Sequence, residues 1–570
     1  MQELKGKGLS PGYASGNAFL YRIGRIEVPR SETIAPQDVE QELHRLQRGI
    51  ENSAEELLRI RGTIQRDIGR HEAGIFDYHV SVLKDPKFVD KIKERIQREL
   101  KSAEMAVLSR VEELMQLFAE MDSEYIGTRA LDIQDIGNRL LRHLQGVKES
   151  LHSLPMETIL VADELFPSDT LSIDRDHLKG IVTERAGATS HATILARGFG
   201  IPLVTGIENA TAHIEDGVPL LVDGNSGTVV ILPSTSQNKS FQIQKAQYEK
   251  ETAAAVAGEM EACVTLDGLD ISLWANISLP SEAHSVGRHN LQGVGLLRTE
   301  HLYLQVDAAP DIDCQVQHYK EIAAMLNGAP LTIRTLDLGA DNQPQFFSRG
   351  AQMNPGMNMR GLRFSLAEES IFKDQITAIL RVAKTFPVRI LLPMVTELDD
   401  LIQAKALIAE IAGQADMDQL PPVGAMIETP SAVMMIEDIA AESDFLSIGT
   451  NDLAQFMLAA DRLSTPMIQE YFPLHPAMLR AIRIVTEAAS KYGIPLYLCG
   501  EIAGDPVAAC ILVGLDIRNL SMSPVRAARV RQALRRSDSS ELKELADKAA
   551  GLRQAKDMHA FLGEMDALIR

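Results

Sequence analysis

From residue 269 to residue 522 eight short apolar runs recur, separated by stretches with helical spacing. They are LDISLWANI (269–277), GVGLL (293–297), LTIRTLD (331–337), VRILLPM (388–394), VGAMIE (423–428), FLSIG (445–449), IPLYLCG (494–500) and IRNLSM (517–522). Eight strand–helix units over roughly 300 residues is the arithmetic of a (β/α)8 TIM barrel. A doubly wound open sheet is the alternative. The count of eight favours the barrel, because the strands of an open sheet have no reason to stop there. At 570 residues the chain exceeds a single core, so further domains are expected ahead of the barrel.

Residues 1–25 read as short strands with a turn at Ser10, Pro11 and Gly12. Then Leu43, Leu46, Ile50, Leu57, Ile60, Ile64 and Ile68 recur at helical spacing amid Glu, Arg and Gln. Ile75, Phe76, His79, Val82 and Leu83 continue the pattern until Asp85-Pro86 breaks it. Three more amphipathic helices are expected near 88–100, 103–121 and 131–145. From 155 the text is α/β again, with strand-like METILVADEL, LKGIVTERA, IPLVTG and GVPLLVDGNSGTVVI and helix-like SHATILARGFG. The strands at 1–25 are too few to fold alone and are expected to join this second block. The predicted organisation is multidomain α/β. An α/β domain takes residues 1–25 and 146–232, with an all-helical insert at 26–145. A linker helix at 233–261 then leads to a barrel at 262–570.

Lys plus Arg number 57 and Asp plus Glu 78, a formal net charge of −21. Such a surface repels phosphate backbones and anionic lipid, so nucleic acid and membrane surfaces are discounted as main partners. The four cysteines have no paired spacing and form neither a disulfide framework nor a zinc site. The start lacks the apolar core of a signal peptide, and no apolar run reaches membrane-spanning length. A reducing cytoplasm is the expected location.

Function in a barrel sits at the C-terminal ends of the strands. Those ends carry Asn276, Arg298, Glu300, Arg334, Asp337, Glu428, Asn451, Asp452, Cys499 and Glu501, with Arg360, Arg363 and Arg462 in the intervening loops. Arginine forks match phosphate or carboxylate. Carboxylates on the same face suggest Mg2+, which takes one or two of them together with substrate oxygens. The barrel is therefore expected to bind a small phosphorylated acid with Mg2+. Surface arginines also commonly do no more than solvate a face or pair with acids. Cys499, between the strand IPLYL and Gly500-Glu501, can act as a proton donor or acceptor, or simply pack.

A second site is GATSHATILAR, residues 187–197. Gly187 permits a tight turn, and Thr189 or Ser190 can cap a helix starting near His191. A histidine there lies near free backbone N–H groups and the positive end of the helix dipole, which welcome a phosphoryl group. The same dipole keeps the imidazole neutral and nucleophilic. The alternative is a helix-terminal histidine that only packs or caps.

These segments resemble the phosphoenolpyruvate–protein phosphotransferases, enzyme I of the bacterial sugar phosphotransferase system. GATSHATILARGFGIPLVTG is similar to that family's phosphohistidine signature, and SDFLSIGTNDLAQFMLAADR to its second signature. GVGLLRTEHLYL, LTIRTLDLGAD, GAMIETPSAV and LCGEIAGDP resemble its other blocks in the same order, as do IFDYHVSVLKDPKF and ALDIQDIGNRLLR in the helical insert. The resemblance implies that His191 is the phosphorylated residue and that Arg298, Arg334, Arg462 and Asn451 hold the substrate phosphate. It implies that Glu428 and Asp452 ligate Mg2+ and that Cys499 protonates the enolate to give pyruvate. It also implies that the insert docks the carrier protein HPr and that a homodimer forms through the barrel. The histidine domain would swivel between the two sites.

Two departures from the family pattern stand out. Asn342 occupies the position of a usual lysine, and Asn358 and Met359 replace a usual glycine and aromatic. Pyruvate phosphate dikinase and phosphoenolpyruvate synthase share the chemistry but need a nucleotide-binding domain ahead of the histidine, where this chain carries a helical insert. The alternative from another class is a regulatory paralogue or adaptor with weakened catalysis. With no sensory domain ahead of residue 1, the expected pathway is sugar uptake.

Overall fold

The computed structural model describes residues 2–21, 33–67, 76, 79–119, 124–146, 151, 154–165, 173, 176–185, 193, 196, 200–304, 309–338, 360–415, 417, 419–459 and 473–569. The chain divides into two compact units, Met1–Glu251 and Thr252–Arg570.

In the first unit eight strands form one sheet: β1 Gln2–Lys5, β2 Lys7–Ser10, β3 Tyr13–Tyr21, β4 Thr158–Ala162, β5 Leu178–Thr183, β6 Leu203–Thr205, β7 Pro219–Asp223 and β8 Thr228–Ile231. Their order is β1-β8-β7-β3-β4-β5-β6-β2, so the three N-terminal strands share a sheet with the strands that follow the insert. β3 to β6 run parallel, and the remaining neighbours pair antiparallel. The parallel centre is buried on both faces, which is why its strands read as continuous apolar runs. Leu160, Ile181 and Leu203 join one core, while Ile159, Val161, Val182 and Val204 face the other.

Between β3 and β4 lie the helices Val39–Asp67, Pro86–Glu99, Ala103–Ala119 and Glu124–Gln145. Their core includes Leu46, Leu57, Phe76, Leu83, Ile92, Ile96, Ile136 and Leu140. Ile92 and Ile96, like Ile136 and Leu140, are four residues apart and share one helix face. Asp85-Pro86 also begins a helix. The Asp85 carboxylate accepts from the Lys87 N–H at 2.8 Å, and Pro86 occupies the first turn, where its missing N–H costs nothing. The helix Thr235–Ala257 begins against this unit, with Phe241 and Tyr248 packed edge-on to Tyr13 at 5.3 and 5.5 Å.

In the second unit the strands are β9 Ser272–Ile277, β10 Val294–Leu297, β11 Leu331–Arg334, β12 Val388–Leu392, β13 Val423–Ile427, β14 Phe445–Ile448, β15 Leu496–Leu498 and β16 Asn519–Met522. Each pairs in parallel with the next, and β16 pairs with β9 to close the barrel. All eight apolar runs are strands, and closure excludes the open sheet. Several runs outlast the ladder. Leu336–Asp337 and Pro393–Met394 lie beyond it at the mouth, where Asp337 meets Arg360 and the Met394 N–H meets Glu428. Trp274, Leu296, Leu391, Met426, Phe445, Tyr497 and Cys499 fill the interior, making it a packed core.

Candidate active site

The C-terminal mouth of the barrel holds an alternation of guanidinium and carboxylate groups. Arg334 ends β11 and is buried. It donates to Glu300 Oε1 at 2.8 Å and lies 3.2 Å from Asp337 Oδ2. Arg360, at the N-terminal edge of the helix Gly361–Ala367, grips both oxygens of Asp337 at 3.1 and 3.0 Å. Its third contact is to Asp452 Oδ1 at 3.1 Å. Burial works against the charge on Arg334, yet Glu300, Asp337 and Glu428 more than offset it and hold the group above its ordinary pKa. Burial likewise opposes the charge on Arg360, and Asp337 and Asp452 outweigh it. The result is a rigid, desolvated array with forks already oriented. Arg298 follows β10 directly, is half-buried, and its N–H joins the Ile277 carbonyl at 2.9 Å.

Glu428 follows β13 and is fully buried. Its Oε1 accepts from the Met394 N–H at 2.7 Å, and among the described residues its Oε2 has no hydrogen-bond partner. Burial, then Asp452 and Asp337, push its carboxyl up to about 8, against the pull of Arg334 and Arg360. Asp452 sits in the first turn of the helix Thr450–Leu458. A buried carboxyl oxygen without a donor, beside a second carboxylate, fits a hard divalent cation such as Mg2+, whose remaining oxygens come from substrate and water. Among the described residues no three His, Cys, Asp or Glu groups converge as a complete cage. Glu428 and Asp452 are the pair that could hold the ion. The fit around them is tight: a Cβ at Gly449 would fall 2.5 Å from Glu428 Oε2, and one at Gly500 1.6 Å from Thr450 Oγ1.

Cys499 follows β15 and is buried. Ser447 Oγ donates to its Sγ at 3.2 Å, and the thiol faces the Ile448 carbonyl at 3.6 Å. Burial pushes the thiol up to about 11, with Ser447, Arg334 and Arg298 pulling down and Glu428 pushing up. It is therefore a protonated thiol at neutral pH, suited to giving a proton rather than attacking as a thiolate.

The predicted residues divide by position. Arg334, Asp337, Glu300, Arg360, Glu428 and Asp452 form one connected network. Asn451 stands beside Asp452 in the helix Thr450–Leu458. Asn276 belongs to the barrel's own scaffold, with its amide donating to the Cys499 and Ser521 carbonyls and accepting from Ser521 Oγ. Two expectations are corrected. Arg363 is half-exposed and pairs with Glu397 at 2.9 Å and Asp400 at 3.2 Å at the start of the helix Leu398–Gln414, so its guanidinium is engaged outside the network. Glu501 is exposed on a 3-10 turn and has no described contact with the network. His191, Arg462, Asn342, Asn358 and Met359 lie outside the described residues. Ser447 and the Met394 backbone were not legible beforehand. Met394 adopts a left-handed φ of 54°, about 1 kcal/mol uphill for a residue with a Cβ, which no residue pattern signals.

Three family descriptions match the chain: "PEP-utilising enzyme, N-terminal" over residues 5–129, "PEP-utilising enzyme, mobile domain" over 154–227, and "PEP-utilising enzyme, PEP-binding domain" over 252–539. The chain is similar to the phosphoenolpyruvate-protein phosphotransferase of Bacillus subtilis, at 36% identity over 99% of this chain and 100% of that protein. The protein of the same name from Geobacillus stearothermophilus is 36% identical over 96% of each chain. That from Listeria monocytogenes is 34% identical over 98% of each. With relatives of this identity matched almost end to end, the chain belongs to the phosphoenolpyruvate-protein phosphotransferase family.

Proposed function

We propose that the chain takes the phosphoryl group of phosphoenolpyruvate onto His191 and passes it to a histidine of an HPr-type phosphocarrier, releasing pyruvate. The observation that carries this reading is the mouth of the barrel. Buried, carboxylate-oriented guanidinium groups stand there beside a buried thiol that keeps its proton.

Arg298 and Arg334, with Arg462 and Asn451, would hold the phosphate. Glu428 and Asp452 would hold Mg2+, which when bound supplies positive charge against the phosphoryl oxygens. His191 would attack phosphorus in line as the bridging P–O bond breaks. The electron pair of that bond leaves with the enolate. The Cys499 thiol would then give its proton to the methylene carbon, which completes pyruvate, and would regain a proton from water. The network of Arg334, Arg360 and Asp337 would keep the forks in place, so that no reorganisation accompanies the charge shift.

In the same reading, residues 26–145 form the carrier-docking insert and residues 1–25 with 146–232 the histidine domain. Residues 233–261 are the linker, and 262–570 the barrel. A homodimer through the barrel belongs to the same reading. A cytoplasmic location is proposed with it; among the described residues no helix is long and apolar enough to cross a membrane. The pathway proposed is sugar uptake.

The test is an intact-mass spectrum after mixing with phosphoenolpyruvate and Mg2+, alongside His191→Ala. One acid-labile phosphoryl group, absent in the variant, is expected. No mass gain in the wild type would overturn the reading in favour of a regulatory paralogue or adaptor.

A further inference from the structure

The opposite, N-terminal mouth of the barrel contains a cavity of about 310 Å³, in the range of small-ligand sites. Arg389, the second residue of β12, lines one wall, and Asp444, just ahead of β14, lines another. Leu420, Pro422, Phe445 and Tyr497 supply apolar surface. Asp444, Leu420 and Pro422 are exposed, so the cavity opens to solvent.

The two charges in this cavity do not pair with each other. The Arg389 guanidinium lies 5.3 Å from the ring centroids of both Trp274 and Tyr497, and its Nη1 donates to the Tyr497 hydroxyl. Among the described residues it has no carboxylate partner. Asp444 uses Oδ2 to accept the Val423 N–H at 2.7 Å, and among the described residues no cation pairs with it. The aromatic rings hold the arginine in a fixed position at the rim, so little ordering remains for a ligand to impose. A plain anion would meet Arg389 but be repelled by Asp444, and a plain cation would meet the reverse. A zwitterion satisfies both.

We propose that this mouth is a binding site for a free α-amino acid with an apolar side chain. Its carboxylate sits on Arg389, its ammonium on Asp444, and its side chain against Leu420, Pro422 and Phe445. The site lies at the end of the barrel remote from Arg334, Glu428 and Cys499, and occupancy does not compete with ligands of that end.

The chain has a single tryptophan, Trp274, stacked against Arg389, so its fluorescence reports on the site through that arginine. Titration of the full chain with L-leucine at millimolar concentrations should give a saturable change, with matching heat by calorimetry. Isocaproate and isoamylamine, which lack the ammonium and the carboxylate respectively, should each bind about tenfold more weakly, as should L-leucine to Arg389→Met or Asp444→Asn. In Asp444→Asn the amide oxygen still accepts the Val423 N–H, so that variant stands as a test even if removing Arg389 harms folding. Phosphoenolpyruvate should leave the leucine titration unchanged. No saturable signal with leucine, valine or phenylalanine overturns the proposal. So does binding that is indifferent to Asp444→Asn, or equal affinity for isocaproate.

Discussion

The hydroxyl of Ser447 donates to Cys499 Sγ at 3.2 Å between two neighbouring barrel strands, from β14 to the residue after β15. The serine marks out which thiol lone pair is occupied. The remaining direction is set by the Ile448 carbonyl, 3.6 Å away. A buried thiol raised to about 11 and oriented in this way is a proton store at neutral pH.

Cys499→Ala should therefore slow pyruvate formation from phosphoenolpyruvate by about a hundredfold or more, the usual worth of a positioned general acid. Transfer between phosphorylated His191 and the carrier should be largely preserved. The two half-reactions are measured separately, and equal loss in both would rule out the proton-donor role.

The same thiol makes stability depend on alkaline pH. Its folded-state pKa is raised from about 9 to about 11, so the folded protein retains a proton that the unfolded chain gives up. That stabilisation is complete below about pH 9 and is lost as the pH rises through about 11. It amounts to roughly 3 kcal/mol for two pKa units. Urea midpoints of wild type and Cys499→Ala should converge across this window. Ser447→Ala removes a donor that lowers the pKa and should move the loss to higher pH.

Arg334→Met strips a buried partner from Glu300 and Asp337. It should destabilise the second unit by about 3–5 kcal/mol, because the carboxylates stay buried without their cation. Arg363→Met removes an outward-facing pair with Glu397 and Asp400 and should change stability by about 1 kcal/mol or less. Chemical denaturation of the two variants side by side checks the contrast. Equal effects would contradict the inner and outer placement of the two arginines.

In the helical insert, Phe76 is fully buried and Phe76→Ala should cost about 3–5 kcal/mol through the cavity it opens. Asp85→Ala loses only a helix cap, worth about 1 kcal/mol. Thermal unfolding of the full chain, followed by a probe placed in the insert, separates the two. A cap loss as large as the cavity would show that Asp85 does more than start a helix.

Carrier binding should disappear when residues 26–145 are deleted, with the barrel's denaturation midpoint unchanged. Calorimetric titration with an HPr-type carrier reads the first outcome and urea unfolding the second. A carrier affinity indifferent to the deletion would sink the docking role of the insert.

Much of this protein was legible in the residues alone. The eight apolar runs at 269–522 are all barrel strands, since a strand buried on both faces has to be a short continuous apolar segment. The helical insert announced itself through positions such as Ile92 and Ile96, which share a face only in a helix. Arg334, Asp337, Glu428, Asp452 and Cys499 were found because a barrel gathers its strand ends, whatever their separation along the chain. What the residues could not reveal was direction. Arg360 and Arg363 are three apart in one segment, yet one clasps Asp337 and Asp452 within the mouth while the other pairs with Glu397 and Asp400 outside. Nor could they show that Arg389 and Asp444 line one cavity without touching, because that depends on which strands closure brings side by side. Periodicity and composition decide which segments are buried, since burial acts on each segment locally. Only the closed barrel decides which charges meet, because it brings together residues as far apart in the chain as Arg360 and Asp452, 92 positions from each other.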